Sequence, residues 1–149
     1  NVSGTDDSAE YNTAIGFTAL DAITTGDKNT AMGYGALGAN TTGYNNTSIG
    51  HLAGLDITEG YQNTILGDRA GTNITTGDNN TAIGQNTLMS NTTGFDNTAV
   101  GQDSMKGNTT GYENTALGQN SLENNISGYK NTAIGQDSMK SNTLNYDVG

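Results

Sequence analysis

Every seventeen residues, eight times without slippage, the chain repeats an Asn-Thr pair, two small or aliphatic residues and a Gly. The Asn of each copy falls at Asn12, Asn29, Asn46, Asn63, Asn80, Asn97, Asn114 and Asn131. A register held that strictly means stacked copies of one small unit, because an irregular core has no use for a fixed spacing. Helix pairs are excluded, since they need about 30 residues or more per repeat. The length fits one coil of a parallel β-solenoid, with two short strands separated by turns. Coils stacked about 4.8 Å apart would make eight of them a rod roughly 40 Å long.

Composition agrees with a thin rod and not with a broad core. Only 32% of the residues are hydrophobic, with two Phe and no Trp. Such polarity would ordinarily suggest disorder, but disorder needs no register. Pro is absent, and the 22 Gly are not spaced by three, so neither polyproline nor collagen geometry applies. Fifteen acids against five bases give a net charge of -10, which disfavours nucleic acid and anionic membranes as partners. The same charge would let carboxylates hold a loosely bound divalent cation such as calcium. Cysteine is absent, no apolar run is long enough to span a bilayer, and the first residues do not read as a signal peptide.

Numbering each unit from its Asn, position two is always Thr and position five always Gly. Position four is always aliphatic: Ile15, Met32, Ile49, Leu66, Ile83, Val100, Leu117 and Ile134. Thr-Ala-Ile reads as one strand and the segment around Ala-Leu as the second, with Asn-Thr-Thr-Gly as a turn. Alternation along the strand sends positions two and four to one side and three and five to the other. Apolarity then assigns the aliphatics of position four to the interior as a core ladder, met by Leu or Met of position nine. In two units position nine is Gly54 or Gly71, and there position twelve is Ile57 or Ile74. Apolar volume has moved within these coils.

On that assignment Ala14, Ala31, Ala82, Ala99, Ala116 and Ala133 form an outer stripe of small residues. The stripe either fills a tight bend or packs against the same stripe of another chain, the second being favoured because one thin coil has little core of its own. The recurrent Asn should form ladders, each bonding to its equivalent one coil away. Tyr44, Tyr61, Phe95, Tyr112 and Tyr129 share position sixteen, with Asp27 and Asp78 in their place in two units. This column is either plain ladder packing beside a turn or a ridge on which glycans stack. Asn40, Asn91, Asn108 and Asn125 sit in Asn-x-Ser/Thr sequons at position twelve, where glycosylation would line one edge.

Catalytic and metal chemistry find little footing. His51 is the sole histidine, at a position that is otherwise Phe, Tyr, Asp or Gln, and no Ser-His-Asp set exists. Asp68, Asp103 and Asp137 recur on outward positions without a crowded pocket. The glycines form neither GxGxxG nor a Walker loop, and the calcium-binding β-roll nonapeptide is missing. No catalytic and no metal-ligating residues are therefore assigned, and the chain reads as no enzyme.

The units Asn-Thr-Ala-Ile-Gly-x-x-Ala-Leu and Asn-Thr-Thr-Gly-Tyr-x-Asn-Thr-Ala resemble the head repeats of YadA-like trimeric autotransporter adhesins, and more closely the repeats of phage-type tail fibre proteins. The resemblance covers 12–142. It implies a left-handed β-roll, three chains packed side by side, attachment to host-surface or matrix glycans, and an extracellular, cell-surface or virion-tail location. The coil is longer here than in the autotransporter heads, and no anchor, coiled-coil stalk or chaperone domain is present in these residues.

Together these observations predict an all-β parallel solenoid of about eight coils. Residues 1–11 read as a partial N-terminal coil, 12–147 as the repeat and 148–149 as a terminal remnant, with Leu144, Asn145 and Tyr146 as a weak cap. The leading functional expectation is a structural and adhesive fibre segment. Behind it stand a filament subunit polymerising end to end, an ice-binding solenoid, and a depolymerase. The ice-binding reading is weakened by the lack of Thr-x-Thr ladders and by the inward direction given to position two.

Overall fold

Each unit contributes one strand of three residues, ended by the Gly that follows it. These are β1 (Thr13–Ile15), β2 (Thr30–Met32), β3 (Thr47–Ile49), β4 (Thr64–Leu66), β5 (Thr81–Ile83), β6 (Thr98–Val100), β7 (Thr115–Leu117) and β8 (Thr132–Ile134). The computed structural model describes residues 9–142. The strands form one eight-stranded parallel sheet in chain order, with Thr opposite Thr and position four opposite position four in every pair. The parallel β-solenoid read from the period is thus the fold. Residues 1–8 of the partial first coil and residues 143–149, with Leu144, Asn145, Tyr146 and the remnant 148–149, lie outside the described residues.

Inside and outside are reversed relative to the sequence expectation. Position three points inward: Ala31, Ser48, Ile65, Ala82, Ala99, Ala116 and Ala133 are fully buried, and Ala14 in the first coil partly so. The aliphatics of position four point out. Ile15, Met32, Leu66, Leu117 and Ile134 are exposed, Ile134 at 68%, while Ile49, Ile83 and Val100 are half-buried. The Ala stripe cannot meet another chain, and the aliphatic column is not the core ladder.

The reason lies in the Asn. All eight position-one Asn are buried, and a strand keeps positions one and three on one face. The coil is so narrow that each amide from Asn12 to Asn114 reaches across it. Asn63 Nδ2 donates to the Gly77 carbonyl at 2.8 Å, and Asn80 Nδ2 to that of Gly94 at 2.9 Å. Each Oδ1 then accepts the backbone N–H of the next Asn, as Asn46 does from Asn63 at 2.9 Å. With an amide spanning the interior, a small side chain fits beside it on the strand, except where glycine at position nine makes room for Ile65.

The second expected strand is absent. The segment after each Gly is a run of turns in which positions seven and nine take positive φ, such as Leu52 at 55° and Leu88 at 51°. Left-handed residues in alternation break strand geometry. They do not break the coil-to-coil ladder, because their peptide groups still bond along the rod: Leu37 N–H to Ala53 carbonyl, Leu52 N–H to Tyr34 carbonyl. At the expected Asn-Thr-Thr-Gly turn, the carbonyl of Thr41 gathers the N–H groups of Thr24, Thr25 and Gly26 and the hydroxyl of Thr24.

The remaining core is a file of Leu or Met at position nine, and the compensation read at Gly54 and Gly71 holds. Ile57 and Ile74 are fully buried, and a Cβ on Gly71 would lie 2.9 Å from Ile74 and 3.0 Å from Ile65. Glycine at position nine is what admits the one bulky residue of position three.

Position twelve carries a second Asn ladder. Asn108 Nδ2 donates to Asn91 Oδ1 at 3.0 Å and to the Gly111 carbonyl at 3.1 Å. Asn40 stands between Ile23 and Ile57 in the same column, and neither its Oδ1 nor its Nδ2 has a partner. A buried amide left unsatisfied costs about 1–3 kcal/mol, whereas replacing it by an apolar group of like shape removes that cost. We therefore expect Asn40→Val to stabilise the fold by about 1 kcal/mol and Asn108→Val to destabilise it by about 2 kcal/mol. Urea unfolding of the two variants reads the opposite signs directly.

Candidate functional site

Reversal of the strand leaves a flat outer face with two files, Thr of position two and the aliphatics of position four. Each file repeats at the coil spacing, about 4.8 Å, over the eight strands. The face carries no charge, although the chain's net charge is -10. Its extent, roughly 40 Å by 10 Å, is at the size where an apolar patch marks an interaction surface. The Thr that sequence reasoning directed inward are exposed or half-exposed here.

A second surface is the position-sixteen column. Tyr44 and Tyr61 stack with centroids 4.9 Å apart and planes 3° from parallel. Phe95, Tyr112 and Tyr129 form a second stack, at 4.9 and 5.0 Å. Near-parallel rings at that separation are stacked, and each shields part of its neighbour's face. The glycan-binding ridge expected at these five residues is therefore altered in kind: it offers edges and hydroxyls, and whole ring faces only where a stack ends. Position six, variable in the sequence, adds a column of its own. Phe17, Tyr34 and His51 stack at 5.8 and 5.5 Å, and His51 Nδ1 lies 3.7 Å from Asp68. Aromatic residues seventeen apart were its available signal.

The stacks are interrupted by Asp27 and Asp78, whose carboxylates turn along the rod. Asp27 Oδ1 accepts the Glu10 N–H at 2.7 Å and Asp78 Oδ1 the Tyr61 N–H at 2.9 Å. The charge of Asp78, with a hydrogen bond to it, holds the Tyr61 phenol above its ordinary range, and Asp96 adds to the effect. In the last coil the Asp137 carboxyl is held low, mainly by the Asn120 amide at 2.8 Å, and the Lys140 ammonium is held high by Glu123.

The sequons of position twelve are corrected by burial. Asn40, Asn91, Asn108 and Asn125 are at most 1% exposed, so no glycan can be attached to them in the folded rod. Among the described residues, the exposed sequon Asn are Asn45, Asn73 and Asn79. Among the described residues, no three His, Asp or Glu side chains gather as metal ligands, and no helix is long and apolar enough to cross a membrane. Comparison with protein-family models, with curated proteins and with solved structures returned no match to this chain.

Proposed function

We propose that the chain is a segment of a structural and adhesive fibre, in which copies associate side by side through the Thr/aliphatic face. The observation that carries this reading is the uncharged sheet face with Leu66 and Leu117 exposed at 44% and 47%. Only a surface with the same pitch can match it along its whole length, and the surface that has that pitch is another copy of the same solenoid. The resemblance to YadA-like heads and tail fibres supports three copies side by side, left-handed coils, and a location outside the cell or on a virion tail. On this reading the rod is a non-catalytic display scaffold, and host glycans are contacted by the outer columns.

Sedimentation equilibrium checks the assembly. The native chain should behave as a species of three copies. Leu66→Lys with Leu117→Lys should weaken association by more than about 100-fold, by placing like charges across the contact, while the thermal midpoint of the isolated rod stays nearly unchanged. A native chain that sediments as a single copy at all concentrations refutes side-by-side assembly. Open-ended growth with concentration would favour the end-to-end filament, because the outermost strands present unpaired edges.

The ice-binding reading gains one supporting observation, the outward turn of the Thr file. It uses the same face, so thermal hysteresis by a non-associating chain would select it.

A further inference from the structure

The two aromatic stacks of position sixteen are separated by one coil, and that coil carries Asp78. The ladder step of 4.9 Å places the Tyr61 and Phe95 rings roughly 10 Å apart across it. Each of these rings has one face with no ring upon it. The interval between the two centroids is that of one missing ring, which a planar ring or a methylated ammonium spans and a methyl does not. Asp78 puts no ring there, and its carboxylate is turned along the rod toward Tyr61, whose N–H it accepts at 2.9 Å. The other interruption differs: Asp27 has Tyr44 on one side and Glu10 on the other. Among the described residues, Asp78 alone is an acid with an aromatic ring one coil away on both sides of its column.

We propose that this missing rung is a binding slot for an organic cation of the methylated-ammonium class, held between the faces of Tyr61 and Phe95 and neutralised by Asp78. A cation at the midpoint would lie about 5 Å from each ring centroid, within the roughly 6 Å over which a ring face attracts positive charge. Asp78 and Asp96 supply the negative field, the same charges that raise the Tyr61 phenol. A neutral sugar gains nothing from that field. The slot rests on the adhesive reading only for its use, since it can fill whether or not the rod attaches to anything.

The test is a proton NMR titration of the native chain with tetramethylammonium chloride at physiological salt, with tert-butanol as the neutral isostere. The methyl resonance should move upfield and saturate, with matching shifts of the Tyr61 and Phe95 ring protons, and tert-butanol should give no saturable shift. Asp78→Asn should weaken binding by about tenfold or more. Asp78→Tyr, the residue type of neighbouring units, should complete the ladder, keep or raise the thermal midpoint, and abolish binding.

Free choline and phosphatidylcholine vesicles then separate the sources. Binding of choline alone identifies a soluble cation, and binding of both a lipid headgroup. Absence of a saturable shift in the native chain, equal binding by folded Asp78→Tyr, or equal binding of tert-butanol overturns the proposal. Failure of the rod to trimerise or to attach to a surface is read in different experiments and leaves the slot standing.

Discussion

Asn80→Leu is expected to lower the unfolding free energy by about 3–5 kcal/mol, although leucine is close in size and more apolar. The Asn80 amide donates to the Gly94 carbonyl at 2.9 Å and to Asn63 Oδ1 at 3.1 Å, and its Oδ1 accepts the N–H and the Nδ2 of Asn97 at 3.2 and 3.1 Å. Leucine removes all four bonds. It also leaves the Asn97 N–H, whose acceptor is that oxygen, buried against hydrocarbon. Hydrophobic gain is small because the site was already sealed from water. Since each coil is stabilised mainly by its neighbours, the loss should be larger at this central rung than for Asn12→Leu at the first. Urea unfolding of both variants measures the contrast. Equal and small losses would mean that the ladder is incidental to stability.

The same ladder explains what could and could not be read from the sequence. The seventeen-residue period was sufficient for the solenoid, the parallel register and the Asn ladder, because each follows from spacing alone. The face of the strand was misread. Assigning Ile15 to Ile134 to the interior followed the rule that large apolar side chains are buried, and a one-residue error of parity moves every side chain to the other face. The Asn ladder itself held the correction: if Asn80 is inside, Ala82 is inside with it, and Ile83 is out. Capacity agrees, since a coil crossed by an amide has no room for a file of isoleucine.

The missing second strand has a different cause. Leu52, Leu88 and Met105 adopt left-handed backbone at 55°, 51° and 50°, and nothing in their residue type announces it. The coil imposes that conformation. For the candidate surfaces, the aromatic column was legible as a column but not as a stack, because only ring orientation shows that faces are covered. The sequons of position twelve failed for a different reason: Asn91, Asn108 and Asn125 are interior rungs of the column that holds Ile57 and Ile74 in the core. The gap at Asp78 is visible in the sequence as a substitution and becomes a slot only when the rings on either side are placed.

Gly101→Ala is expected to be as damaging as the loss of a ladder Asn, at about 4 kcal/mol or more, from two separable causes. Gly101 has φ +131°, a region that side-chain-bearing residues adopt at a cost of about 1–3 kcal/mol. A Cβ there would also lie 2.6 Å from the carbonyl carbon and oxygen of Gly118 in the next coil. Those are backbone atoms fixed by the ladder, since the Gly118 N–H is bonded to Val100 at 2.8 Å, so they cannot swing aside as a side-chain tip would. The coils must separate locally, and the outer files of Thr and aliphatic residues lose their common pitch there.

Gly135 isolates the first cause. It holds the same position with φ +118°, and nothing among the described residues lies within 4 Å of its Cβ direction. Gly135→Ala should therefore cost only the backbone part, about 1–3 kcal/mol. Thermal unfolding of both variants, with sedimentation at the same concentration, checks stability and pitch together. If coil contact is what makes glycine obligatory, Gly101→Ala loses more stability than Gly135→Ala and associates less well. Equal losses would assign the requirement to backbone conformation alone, and the regular outer face would then owe nothing to close contact between glycines.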